Sequence, residues 1–126
     1  MRDVVTPDRG VREWGKKRRK IVKDYRVERR RILGELRREK KKLQHEMDLK
    51  EEQVYNHYRV DEFRRKDDER LKNAEKKAEK VFGLFKRRTL RDFRKDSMER
   101  LRGAIKRRNK RIRGASVSLR RERHNV

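Results

Sequence analysis

The chain has 126 residues, 53% of them Asp, Glu, Lys or Arg and only 30% hydrophobic, with a formal net charge of +23 and a pI of about 11.1. An ordinary soluble domain is about half apolar and about a quarter charged, so this composition argues against a compact globular core. The absence of cysteine excludes a disulfide framework and a thiol-based zinc site.

Low hydrophobicity with high charge is also the mark of disorder. Here, however, the apolar residues are periodic, which a disordered chain does not need. A chain this basic repels itself and attracts polyanions. Nucleic acid is the first candidate and an anionic membrane the second. No apolar run reaches the roughly 20 residues needed to span a bilayer. The N-terminus lacks the apolar stretch of a secretory signal, and Asp3 and Asp8 depart from the acid-poor pattern of a transit peptide.

Residues 1–10 read as a lead-in, with Thr6 as an N-cap, Pro7 at the first helical position and Asp8 near the positive end of the helix dipole. Gly10 and Gly15 weaken helix locally, which moves the expected start from about residue 11 towards Lys16. From there the pattern is clear. Ile21, Ile32, Leu43 and Val54 recur every eleven residues, as do Trp14, Tyr25, Leu36, Met47 and Tyr58. The two series lie four apart, and eleven residues make three helical turns at about 3.67 residues per turn. The result is one narrow apolar stripe on a helix otherwise coated in charge. Lys16 to about Lys80 has no proline and only Gly34 as glycine, so the spacing predicts one very long helix over about 11–82.

After Tyr58 the period changes. Leu71, Ala74, Ala78, Val81 and Phe85 step by three and four, a heptad seam in which the two alanines would admit a close partner. Residues 83–88 are the expected break, with Gly83 among Phe82, Leu84 and Phe85. Thr89, with Asp92 three residues on, is an approximate capping box for a second helix over about 89–113. Leu90, Phe93, Leu101, Ala104, Ile105 and Ile112 continue its stripe, Gly114 to Ser116 read as its end, and 114–126 as a basic tail. The predicted fold is all-α: a long helix, a break and a second helix that could fold back, with no compact globular core.

Charge falls into three blocks. Residues 1–43 carry 18 Lys+Arg against 7 Asp+Glu, net +11; residues 44–82 carry 10 against 11, net −1; residues 83–126 carry 17 against 4, net +13. This is the pattern of a strut that grips polyanion at both ends. In the neutral block Glu46/Lys50, Asp61/Arg65, Glu62/Lys66 and Asp68/Lys72 would pair along a helix, each adding about 0.2–0.5 kcal/mol.

The candidate phosphate-binding residues are Lys16, Lys17, Arg18, Arg19 and Lys20; Arg29, Arg30 and Arg31; Arg37, Arg38, Lys40, Lys41 and Lys42; Lys86, Arg87 and Arg88; and Lys106, Arg107, Arg108, Lys110, Arg111 and Arg113. Closely spaced cations displace condensed counterions from phosphates, and the excess of arginine suits bidentate contact. A solvated charged face is the plain alternative for any one short run. The candidate protein-docking residues are Ile21, Tyr25, Ile32, Leu36, Leu43, Met47, Val54, Tyr58, Phe82 and Phe85. Trp14, beside the first basic run, is the best candidate for stacking on a base; the other aromatics fall on the stripe and read as packing residues. His45, His57 and His124 form no metal pattern, so no metal or cofactor is expected. A rod offers no pocket to tune a catalytic carboxylate, and there is no phosphate loop or nucleophile elbow, so the chain does not read as an enzyme. Like-charged flanks oppose a parallel homodimer.

From Tyr25-Arg26-Val27-Glu28-Arg29-Arg30 to about Leu71, the chain resembles the long-helix proteins of mitochondrial ribosomes, nearest in style to those of the small subunit. That resemblance implies a structural role on ribosomal RNA and neighbouring ribosomal proteins in the mitochondrion, with a cytoplasmic ribosome or the nucleus as the other settings. The rival expectation is a coiled-coil scaffold or adaptor, possibly nuclear, whose charges serve solubility.

Overall fold

A computed structural model describes the backbone of residues 9–124 and the side chains of residues 10–121. The lead-in through Asp8, with the Thr6–Pro7 start, lies outside the described residues, as do the side chain of His124 and the last two residues. Three helices follow in order: α1 (Arg9–His57), the single-turn α2 (Val60–Phe63) and α3 (Asp68–His124). No strand occurs among the described residues. The all-α architecture is as expected: a long helix, a break and a second long helix, without a compact core.

The break is not where glycine suggested. Residues 83–88 are helical, and the interruption falls at 58–67. The helix over about 11–82 therefore ends at His57, and the one over about 89–113 runs from Asp68 to His124, past Gly114, Ala115 and Ser116. No glycine among the described residues has positive φ. A single glycine in a helix costs only about 1 kcal/mol, which good helix formers on both sides of Gly83 and Gly114 outweigh. Ser116 and Ser118 bond back to the carbonyls of Ile112 and Gly114 at 3.0 and 3.1 Å, so neither hydroxyl competes to end the helix.

The chain divides into two compact units. One is Glu35–Ser97, the end of α1, the break and the start of α3. Here the Tyr58 N–H still reaches the Val54 carbonyl at 3.1 Å, the Arg59 N–H turns tighter onto Asn56 at 3.0 Å, and Arg59 takes left-handed dihedrals of 60° and 36°. That conformation reverses the chain in the way glycine usually allows. Asp67 then caps α3: its Oδ1 accepts the N–H groups of Glu69 and Arg70 at 3.1 and 3.2 Å. Asp68 and Glu69 occupy the favourable first turn. Between these signals Val60 plugs the corner, 1% exposed, against Val54, Ala74 and Ala78. Tyr55, Tyr58, Phe63, Leu71 and Phe82 pack around this cluster. Ala78 is fully buried, so the small residues do admit a close partner, and that partner is the chain's own α1.

The other unit joins the chain through Gly34 to the chain from Met98. Ile21, Ile32 and Ala104 are buried in it. Its cross-helix contacts run antiparallel. Trp14 Nε1–H donates to Ser116 Oγ at 3.2 Å, the Arg108 guanidinium sits 4.6 Å from the Tyr25 ring centre, Arg111 bonds Asp24 at 3.1 Å, and Arg107 Nε bonds Glu28 at 3.0 Å.

Of the seam expected in α3, Leu71, Ala74, Ala78 and Phe85 do turn inward, but Val81 is 40% exposed, which corrects the seven-residue period. The inward residues of α3 instead include Leu71, Phe82, Phe93, Ala104 and Ala115, spaced by eleven, with Leu90, Leu101 and Ile112 in a second series of the same period. This is the period of α1. Two helices with equal drift keep their stripes facing along each packed stretch, which a seven-residue seam against an eleven-residue one would not. Pairing two thin stripes leaves little interior. Among the described residues Val60 is the only large side chain under 2% exposed.

Candidate nucleic-acid interface

The apolar stripe is not a free docking surface. Ile21, Ile32, Leu36, Met47 and Val54 are 3–8% exposed, and Tyr25, Leu43, Tyr58, Phe82 and Phe85 are half-buried. One helix alone cannot cover its own stripe to this degree, so the cover is the chain's second helix. The expectation that these residues dock other proteins is corrected: they dock the chain onto itself.

The basic residues have the opposite fate. All twenty-two candidates lie on helices, and every one except the half-buried Arg108 is exposed. The unit containing both termini carries 24 Lys+Arg against 7 Asp+Glu, net +17; Glu35–Ser97 carries 21 against 15, net +6. The runs Lys16–Lys20 and Arg29–Arg31 share the first unit with Lys106–Arg113. The expected strut with separate grips is therefore corrected. Runs from the N-terminal and C-terminal blocks meet in one unit, because the chain reverses at 58–67, while Arg37–Lys42 and Lys86–Arg88 belong to the other.

Within that unit several of the candidates do other work, Arg18 over the Trp14 ring among them. Arg107 and Arg111 bridge to Glu28 and Asp24 on α1, and Arg108 covers Tyr25. These pairs hold α3 to α1 and neutralise two of the few acids nearby. Lys106, Lys110 and Arg113 remain outward. On α1, Arg18, Arg19, Lys23, Arg26 and Arg30 line a shallow groove of about 600 Å³ over Val22 and Val27. Val27 is 58% exposed there. No acid is among the residues lining this groove, and after the adjacent Arg18 and Arg19 the cations recur three or four residues apart. A run of phosphates is the ligand whose charge and length it fits. Val22 and Val27 were not singled out from the sequence, because they fall off the eleven-residue stripe.

In Glu35–Ser97, Arg37, Arg38 and Lys40–Lys42 face solvent on α1, and Lys86–Arg88 on α3. Leu84, Phe85, Arg87, Arg88 and Arg91 line a second open groove of about 600 Å³. The corner is acidic instead. Asp48, Glu51, Glu52 and Asp61 surround Tyr55 in a depression of about 360 Å³. Burial pushes the Tyr55 hydroxyl pKa up, and Glu79, Glu51 and Glu75 push it further. Arg59 and Glu62 form a two-pronged pair at 2.6 and 2.7 Å. The hydrogen bond from Arg59 holds the Glu62 carboxyl below the usual range, and the same bond raises Arg59. At the break, ion pairs stand three residues apart, Arg59/Glu62, Asp61/Arg64 and Asp67/Arg70, beside the four-residue pairs expected for Asp61 and Glu62, and the Lys66 charge also lowers the Glu62 carboxyl.

No group of three or more His, Asp or Glu able to hold a metal ion occurs among the described residues, and no described helix is long and apolar enough to cross a membrane. No family model matches the chain, and no curated protein or solved structure matches it.

Proposed function

We propose that this chain is a structural RNA-binding protein that neutralises phosphates with the outward cations of the unit joining its two ends, and that it acts as a constituent of a ribosome rather than as an enzyme. One observation carries the reading. Two basic stretches far apart in sequence are held side by side on paired helices, with most of their cations outward, in a unit of net charge +17. Charge concentrated this way on ordered helices opposes folding through self-repulsion unless a polyanion answers it.

The ribosomal setting, and the mitochondrion within it, rests on the resemblance across residues 25–71 and is the narrower part of the proposal. Neighbouring ribosomal proteins would be met through apolar side chains that the fold leaves exposed, such as Leu49, Val81 and Leu84. Expressed with a tag in cells, the chain is expected to sediment with ribosomal subunits and to crosslink to ribosomal RNA. Sedimentation only with free protein, with no RNA in the crosslinks, would reject the proposal. Crosslinks confined to other RNAs would reject the ribosomal part alone.

A further inference from the structure

Single-stranded RNA is commonly held by stacking its bases on aromatic rings, each stacked base strengthening binding about tenfold. This chain has eight aromatic side chains, and none is exposed. Several are covered by its own cations. The Arg18 guanidinium lies 5.5 Å from the Trp14 ring centre, Arg108 lies 4.6 Å from Tyr25, and Lys50 lies 5.5 Å from Phe85. Phe63 carries both Arg59 and Arg70, at 5.7 and 5.9 Å. Trp14 is tied further by its bond to Ser116. Tyr55, Tyr58 and Phe82 pack on the Val54–Val60–Ala74–Ala78 cluster, with Tyr55 among carboxylates that repel phosphate.

What remains outward is charge at fixed spacing. Arg19 and Lys23, and likewise Arg26 and Arg30, stand four residues apart, about 6 Å along the helix axis. Such a row meets a rigid run of phosphates without first having to order it. A duplex carries two phosphates per base-pair step, a denser line of charge than one strand, and each contact to it releases more counterion. A single strand would have to be ordered, and here it would gain no stacking in return.

We infer that the RNA this chain takes is double-stranded, recognised through its phosphates and not through unpaired bases; the inference rests on the RNA-binding reading above. The test is titration of the full chain with an RNA duplex of about 20 base pairs and with an unstructured strand carrying the same number of phosphates. Affinity is read from the fluorescence anisotropy of end-labelled RNA, and Trp14, the only tryptophan, reports separately on stacking. The duplex is expected to bind at least about tenfold more tightly, with Trp14 emission unquenched by either RNA. Equal or tighter binding of the single strand, with or without quenching, overturns the inference and leaves RNA binding standing. Binding of neither overturns the RNA-binding reading itself.

Discussion

Arg59 is the residue on which the chain's reversal turns, and nothing in Asn56-His57-Tyr58-Arg59 announces it. The left-handed conformation is ordinarily taken by glycine or asparagine and costs other L-residues about 1–2 kcal/mol. Here burial of Val60 and the Glu62 pair hold it in place. Arg59→Asn is expected to leave the thermal midpoint nearly unchanged. Arg59→Val, β-branched at positive φ, is expected to destabilise by about 1–2 kcal/mol in thermal or urea unfolding. The Glu62 carboxyl titrates lower in the folded chain than in the unfolded one. Its contribution is therefore present at neutral pH and is lost as pH falls through its folded titration, below the usual carboxylate range. Carbon-detected NMR should find the Glu62 midpoint below that of ordinary glutamates and returned to the usual range in Arg59→Gln. An unchanged midpoint in that variant would refute the pairing. The roles of Arg107, Arg108 and Arg111 were equally hidden. Their partners Glu28, Tyr25 and Asp24 lie on α1, about eighty residues away, and no local spacing connects them.

At the scale of elements, the helical class and the eleven-residue period of α1 were legible because both are written in side-chain spacing. The end of α1 was half-legible: the period breaks after Tyr58, where the helix does stop. Asp67-Asp68-Glu69 is a helix start in plain view, a cap followed by two acids, but it competes with a continuous helical composition and with the more conspicuous Gly83. Reading the heptad from Leu71 hid the fact that α3 shares the period of α1. Two substitutions separate the two break positions. Asp67→Ala removes the cap and should cost about 1 kcal/mol. Gly83→Ala should stabilise by about 0.5–1 kcal/mol, since a Cβ there would meet only the flexible Arg87 guanidinium at 3.8 Å. Loss of helicity by circular dichroism in Gly83→Ala would place the break back at 83–88.

At the scale of the whole molecule, charge was the most legible property, since net charge needs no fold to be read. Its distribution was not, because which blocks share a unit depends on where the chain reverses. With the reversal at 58–67, Lys16–Lys20 and Lys106–Arg113 belong to one unit of net +17, and the acids that interrupt it at Asp24 and Glu28 are bridged to arginines. Replacing Lys23, Arg26 and Arg30 together by Gln should weaken RNA binding and reduce the salt slope, each lost phosphate contact removing about 0.7–0.9 from it. The fold should be undisturbed, since all three side chains face solvent. The central claim is that outward cations grip RNA phosphates, and the most direct test is the affinity of the full chain for RNA measured across a range of salt concentrations. The account predicts a log–log plot that is straight and steep, worth several phosphate contacts, and shallower in the triple Gln variant. Affinity that stays constant from low to high salt, or no binding at low salt, would contradict it.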